Sequence, residues 1–131
     1  MIRAIVYHTR TGYTEKYARA LSEKINLPCC KLEKALNQLE EKDEIIYMGN
    51  ISSGAVNGYS KARRYFTPKY VVGVGISYPT NEVKEDVQDK TEVFGVPFYL
   101  LRGGIDYSQI NPVKGFFLRK FAEISYACRE R

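Results

Sequence analysis

Apolar and polar positions alternate along this chain in blocks. Residues 2–7 (Ile-Arg-Ala-Ile-Val-Tyr) form a short apolar strand. Residues 44–49 and 70–76 read as strands buried on both faces, because their apolar character is nearly continuous. Residues 27–32 read as a short strand and 96–101 as another, with Pro97 near its start placing it at a sheet edge. Between these runs the spacing is helical. Tyr17, Ala18, Leu21 and Ile25 recur on one face, with Glu15, Lys16, Arg19, Glu23 and Lys24 on the others. The charged segment 33–43 offers Leu36 and Leu39 for packing and reads as a short helix or turn. A helix over 59–65 ends before Thr67-Pro68, since the residue preceding proline is pushed out of helical geometry. Asn81 is expected to cap a helix over 82–93, with Gly95 as its stop. Asn111-Pro112 opens a last helix, where Val113, Phe117, Phe121, Ile124 and Cys128 make one apolar stripe.

Strands alternating with helices predict an α/β fold: an open parallel sheet covered on both faces. A chain of 131 residues with 44% hydrophobic content suits one domain over 1–131 with a single sizeable core. No uncharged apolar run is long enough to span a bilayer, and the N-terminus reads as a strand rather than a leader, so a cytoplasmic location is expected. The three cysteines fit neither a disulfide framework nor a metal-ligand spacing. Cys29 and Cys30, being adjacent, are expected on opposite faces of a strand, at least one as a small buried hydrophobe.

The first strand leads into His8-Thr-Arg-Thr-Gly-Tyr-Thr14 and then directly into the first helix. A strand, a hydroxyl-rich loop and a helix start present backbone N–H groups and a positive helix end to a phosphate. Thr9, Thr11 and Thr14 add hydroxyls, and Gly12 permits a tight turn and close approach. No Gly-Lys-Ser/Thr follows, and the G-x-G-x-x-G pattern is absent.

The segment Thr9-Arg10-Thr11-Gly12-Tyr13-Thr14 resembles the T-x-T-G-x-T phosphate loop of flavodoxins, with Tyr13 where the family usually carries asparagine. The resemblance extends over nearly the whole chain. It implies a flavodoxin-like three-layer sandwich, a five-stranded parallel sheet of order 2-1-3-4-5, with FMN at the switch between the first and third strands. It also implies jobs for two later loops. Asn50, Ile51, Ser52 and Gly54, after the third strand, would border the flavin, with Ile51 over one face and Gly54 able to rearrange toward it. Ser77, Tyr78 and Pro79, after the fourth strand, would border the other side, with Tyr78 stacking on the ring. Arg10 would lend charge to the phosphate. The ending, from Arg102-Gly-Gly-Ile-Asp-Tyr107 through a Phe-rich helix with Arg119 and Lys120, resembles the flavodoxin-like protoporphyrinogen oxidases.

A formal charge of +5, from 20 basic and 15 acidic side chains, departs from the acidic balance common in electron-carrying flavodoxins. It favours anionic partners: an acidic redox protein, a small anionic or quinone-like substrate, or peripheral contact with an anionic membrane face. Basic residues are scattered and carry no nucleic-acid recognition motif, so no nucleic-acid partner is expected. His8, the single histidine, stands beside the expected cofactor and is able to tune it. No nucleophile elbow, Cys-His signature or marked carboxylate pair is present, so any chemistry would be carried by the flavin. Three readings stay open: an FMN electron carrier, a flavin-dependent oxidoreductase acting on a quinone or porphyrinogen-like substrate, and a domain without FMN acting as a binding module.

Overall fold

The parity of the apolar residues decides which side of the sheet each helix covers. The computed structural model describes residues 1–10, 12–76 and 80–103. Its elements are β1 (Ile2–His8), α1 (Tyr13–Ile25), β2 (Cys29–Lys31), α2 (Leu32–Gln38), β3 (Glu44–Ser52), β4 (Ala55–Val56), α3 (Tyr59–Tyr65), β5 (Thr67–Gly75), α4 (Asn81–Thr91) and β6 (Phe98–Arg102). The strands run β2-β1-β3-β5-β6, all pairs parallel, while β4 folds back antiparallel on β3. Setting the small β4 aside, this is the expected order 2-1-3-4-5.

The register lines Ile5 up with Ile46, Ile46 with Tyr70, Met48 with Val72 and Val74 with Leu101. Those residues share one face and pack on Tyr17, Ala18 and Leu21 of α1. Their neighbours Val6, Ile45, Tyr47, Val71, Phe98 and Leu100 share the other, against Leu32 and Ala35 of α2, Tyr59 and Ala62 of α3 and Val87 of α4. Each central strand is therefore apolar on both faces along its buried middle, because both faces are covered. Cys29 packs on the α1 side and Cys30 on the other, as adjacent strand residues must, yet both are only half-buried. Burial raises the Cys30 thiol's pKa above its ordinary value.

Several boundaries differ from the sequence reading, each for a local reason. β2 spans only 29–31 instead of 27–32, because Leu27 belongs to the end of α1: its N–H donates to the Ser22 carbonyl, and its carbonyl accepts from the Ser22 hydroxyl. The segment read as helix or turn from residue 33 is a helix beginning at Leu32. Residues 50–58 are not a loop throughout: β3 continues to Ser52 and turns into β4. β5 covers 67–75 rather than 70–76, and Pro68 sits inside it where the register with β3 shifts between Ile45 and Ile46, the kind of irregularity that tolerates a missing N–H. The α4 cap is Thr80, not Asn81, with its hydroxyl accepting from the Val83 N–H at 3.2 Å. That helix ends at Thr91 because Glu92 takes the left-handed conformation (φ 62°), so Gly95 is not the stop. β6 covers 98–102 instead of 96–101 and, as expected, lies at the sheet edge among the described residues. The last helix and its apolar stripe lie outside the described residues.

Candidate functional site

Parallel strands end together, and here β1, β3 and β5 finish at the edge where α1 begins. The chain crosses from β1 to β2 on one side and later reaches β3 on the other, so a crevice opens between the carboxyl ends of β1 and β3.

The turn between β1 and α1 holds its own shape. Thr9 Oγ1 accepts from the Gly12 N–H at 2.9 Å. Gly12 caps the helix at φ 93°, a conformation that costs glycine nothing, and a Cβ there would meet none of the described residues within 4 Å. The first helical bond runs from Lys16 N to Gly12 O. The earlier N–H groups, of Tyr13, Thr14 and Glu15, face the open end of a helix with no acceptor among the described residues. This helix end is tied to the sheet by Tyr7, whose hydroxyl donates to Glu15 Oε1 at 2.7 Å, while Arg19 pairs with the same oxygen at 3.3 Å. Burial first, and then the bond to Glu15, pushes the Tyr7 hydroxyl up to about 12. The bond from Tyr7 and then that from Arg19 hold the Glu15 carboxyl below its ordinary range.

A cavity of about 210 Å³ lies over this turn. Arg10, Tyr13 and Thr14 line it from the turn, Asn50 and Ile51 from β3, Val74 and Gly75 from β5, and Ile76 and Gly103 from the chain just beyond β5 and β6. Arg10 is the sole charged residue among the described residues of this lining, which carry one positive charge and no acid. Thr14 is the buried polar residue of the described core, 1% exposed, and its hydroxyl meets no hydrogen-bonding partner among the described residues. Asn50 is held twice: its carbonyl accepts from the Asn57 N–H at 2.8 Å, and its Oδ1 lies 3.1 Å from His8 Nδ1.

The turn between β3 and β4 is made by Ser53 (φ 53°) and Gly54 (φ 80°), a two-residue hairpin with both central residues left-handed. The hairpin lies back along its own strand because residue 49 is glycine: a Cβ there would come within 2.6 Å of the Asn57 carbonyl oxygen. Val56 N donates to Thr91 Oγ1 at 2.9 Å, docking the hairpin on α4. Beyond a ridge of Ile51, Gly75 and Ile76, which borders both spaces, a second cavity of about 290 Å³ lies between hairpin and α4. Val83, Val87 and Leu100 give it an apolar wall, with Gly54, Asp86 and Lys90 also lining it.

The structure thus brings Arg10, Tyr13, Thr14, Asn50 and Ile51 to one cavity, with Thr9 and Gly12 shaping the turn beside it. Gly54 lines the second cavity, and Ser52 pairs with Ala55 in the hairpin. Thr11, Ser77, Tyr78 and Pro79 lie outside the described residues. Sequence reasoning did not single out Val74, Gly75, Ile76 or Gly103; their position at the carboxyl ends of strands was the available signal. Nor did it foresee the second cavity, although Ser53-Gly54 is a hairpin-forming pair.

No family model matches this chain, and no curated protein is similar to it in sequence. Among solved structures it is similar to one described as the crystal structure of the flavodoxin, WrbA-like protein from Agrobacterium tumefaciens. The two share 15% identity over 98% of this chain and 97% of that one, with a TM-score of 0.52. Identity that low speaks for architecture alone, and the architecture agrees with the strand order and the helices on both sheet faces. The chain has the flavodoxin-like fold.

Proposed function

We propose that this protein binds FMN at the crevice between β1 and β3 and carries electrons between redox partners. The observation that supports this most is the Thr14 hydroxyl, buried in the first turn of α1 without a partner among the described residues and lining the cavity. A buried hydroxyl with no hydrogen bond costs free energy, and a ligand oxygen beside it would remove that cost. The rest of the donor set suits a phosphate: open N–H groups at the positive end of a thirteen-residue helix, with Arg10 as the one charge among the described lining residues. Thr14, the helix N–H groups and Arg10 would hold the phosphate, while Ile51 and Asn50 would border the remainder. Bound FMN supplies one- and two-electron transfer. The protein's own part is to seat it, to keep water from its buried side and to hold donors in place.

Thr14→Val tests the assignment with two readouts of opposite sign. FMN affinity, read by quenching of FMN fluorescence, should fall about ten- to a hundredfold, the loss of one hydrogen bond to a charged group. Stability of the protein without FMN should hold or rise, because valine removes the unpaired hydroxyl at nearly equal volume. Unchanged affinity would reject Thr14 as a phosphate ligand, and no FMN binding by the unaltered protein would reject the function. A second reading, a flavin-dependent oxidoreductase acting on a small anionic or quinone-like substrate, draws on the 290 Å³ cavity with Lys90 in its wall. Turnover of a quinone with FMN bound would put that reading first.

A further inference from the structure

We infer that His8 is a positioning residue that sets the polarity of Asn50, making this part of the cavity wall a hydrogen-bond donor and selecting a ligand with an acceptor atom there. The inference deepens the proposed function and rests on the same cavity being a ligand site.

His8 is the last residue of β1, and Asn50 lies one position beyond its β3 partner Gly49. The two side chains meet across the crevice at 3.1 Å, His8 Nδ1 to Asn50 Oδ1. With Oδ1 toward the ring, the bond requires its proton on Nδ1, because an amide oxygen only accepts. That is the less common tautomer of a free neutral imidazole, and holding it is the role the inference gives to the pairing of His8 with Asn50. The consequence falls on the other end of the amide. With Oδ1 engaged by His8, Asn50 is left with its NH₂ group, which can only donate, and Asn50 lines the cavity. The backbone is fixed too, because Asn50 sits within β3 and its carbonyl accepts from Asn57 N. Neither the strand nor the side chain is free to turn, so the donor is in place before any ligand arrives. Without His8 the amide would be able to rotate by half a turn and present either group. In the lining described here, Arg10, Thr14 and Asn50 are the side chains that can donate to a ligand from charged or polar groups other than the phenol of Tyr13. Arg10 and Thr14 belong to the turn that starts α1, and Asn50 faces them from β3, across the crevice. A fitting ligand therefore bears an anionic group at one end and a carbonyl or unprotonated ring nitrogen at the other.

The test uses the fact that this chain has one histidine. Labelling the ring nitrogens of histidine with ¹⁵N gives signals from His8 alone, and a pH titration of those signals locates the neutral form. In the protein without FMN, the neutral ring should show Nδ1 protonated and Nε2 unprotonated. The reverse pattern would overturn the inference, since Nδ1 would then be accepting from an amide turned the other way. Because no ligand takes part, this outcome is separate from any failure of FMN to bind. With FMN, His8→Phe should weaken binding by about fivefold, the worth of one positioned hydrogen bond, and should shift the flavin's reduction potential. Affinity and potential unchanged in His8→Phe would also overturn the inference.

Discussion

Gly58 offers a test of how the region behind the candidate site is packed. Its φ is +81°, and a Cβ built on it would collide with the hydroxyl of Tyr47. Tyr47 cannot yield: it is completely buried, its hydroxyl donates to the Asn57 carbonyl at 2.6 Å, and its ring packs against Tyr59 with centroids 6.1 Å apart. Gly58→Ala therefore carries two penalties, a left-handed backbone worth about 1 kcal/mol and an overpacked core worth about 1–3 kcal/mol. Tyr47→Phe alone loses a hydrogen bond and leaves the Asn57 carbonyl without it, which costs about 1–2 kcal/mol. Removing that hydroxyl also removes the collision, since the next atom of the ring, Cζ, would stand 3.5 Å from the new methyl, an ordinary contact. The double variant should then be more stable than the sum of the singles implies, by about 1–2 kcal/mol. Urea unfolding followed by far-UV circular dichroism on the four proteins gives the cycle. Additive effects, or a Gly58→Ala cost no larger than the backbone penalty, would show that Tyr47 does not occupy that space and would refute the packing described here.

Two further outcomes follow from single residues. Tyr7 ionises near 12, with burial as the main cause, so its neutral form is favoured by folding; that stabilisation is complete below the ordinary tyrosine range and fades as pH climbs toward 12. In a phenolate absorbance titration, Tyr7→Phe should remove an ionisation from the late end of the curve, and removal from its early part would contradict the Tyr7–Glu15 bond. Thr80→Ala should cost about 1 kcal/mol in urea unfolding, as the loss of a helix cap does; a cost that appears instead in Asn81→Ala would return the cap to Asn81.

A parallel sheet covered on both faces was legible because its central strands are apolar on both faces and helical stripes such as Tyr17, Ala18 and Leu21 had to face it, whereas the order of its strands came from the resemblance carried by the Thr9–Thr14 loop. The helix over residues 59–65 was read at its observed bounds, since Pro68 leaves little freedom upstream. Gly49 misled: glycine after an apolar run reads as a stop, whereas here it lets β4 lie across β3 while the strand goes on. Glu92 carried no sign that it would adopt φ 62° and end α4, because left-handed glutamate has no signature in a sequence. At the site, hydroxyl and glycine types marked the turn, but the partnership of His8 with Asn50 spans forty-two positions and exists only once β1 and β3 lie side by side.

The Thr9–Gly12 bond has a thermodynamic consequence. A loop that closes on itself is already built in the empty protein, so a ligand seated there adds stability by mass action, about 2.7 kcal/mol at a hundredfold excess over its dissociation constant. Since Thr9 and Gly12 are already joined before a ligand arrives, the surface exposed on unfolding should be the same with or without ligand, and the denaturant slope should stay constant while the midpoint climbs. Affinity at such a site is set by the donors it presents and not by the cost of assembling them.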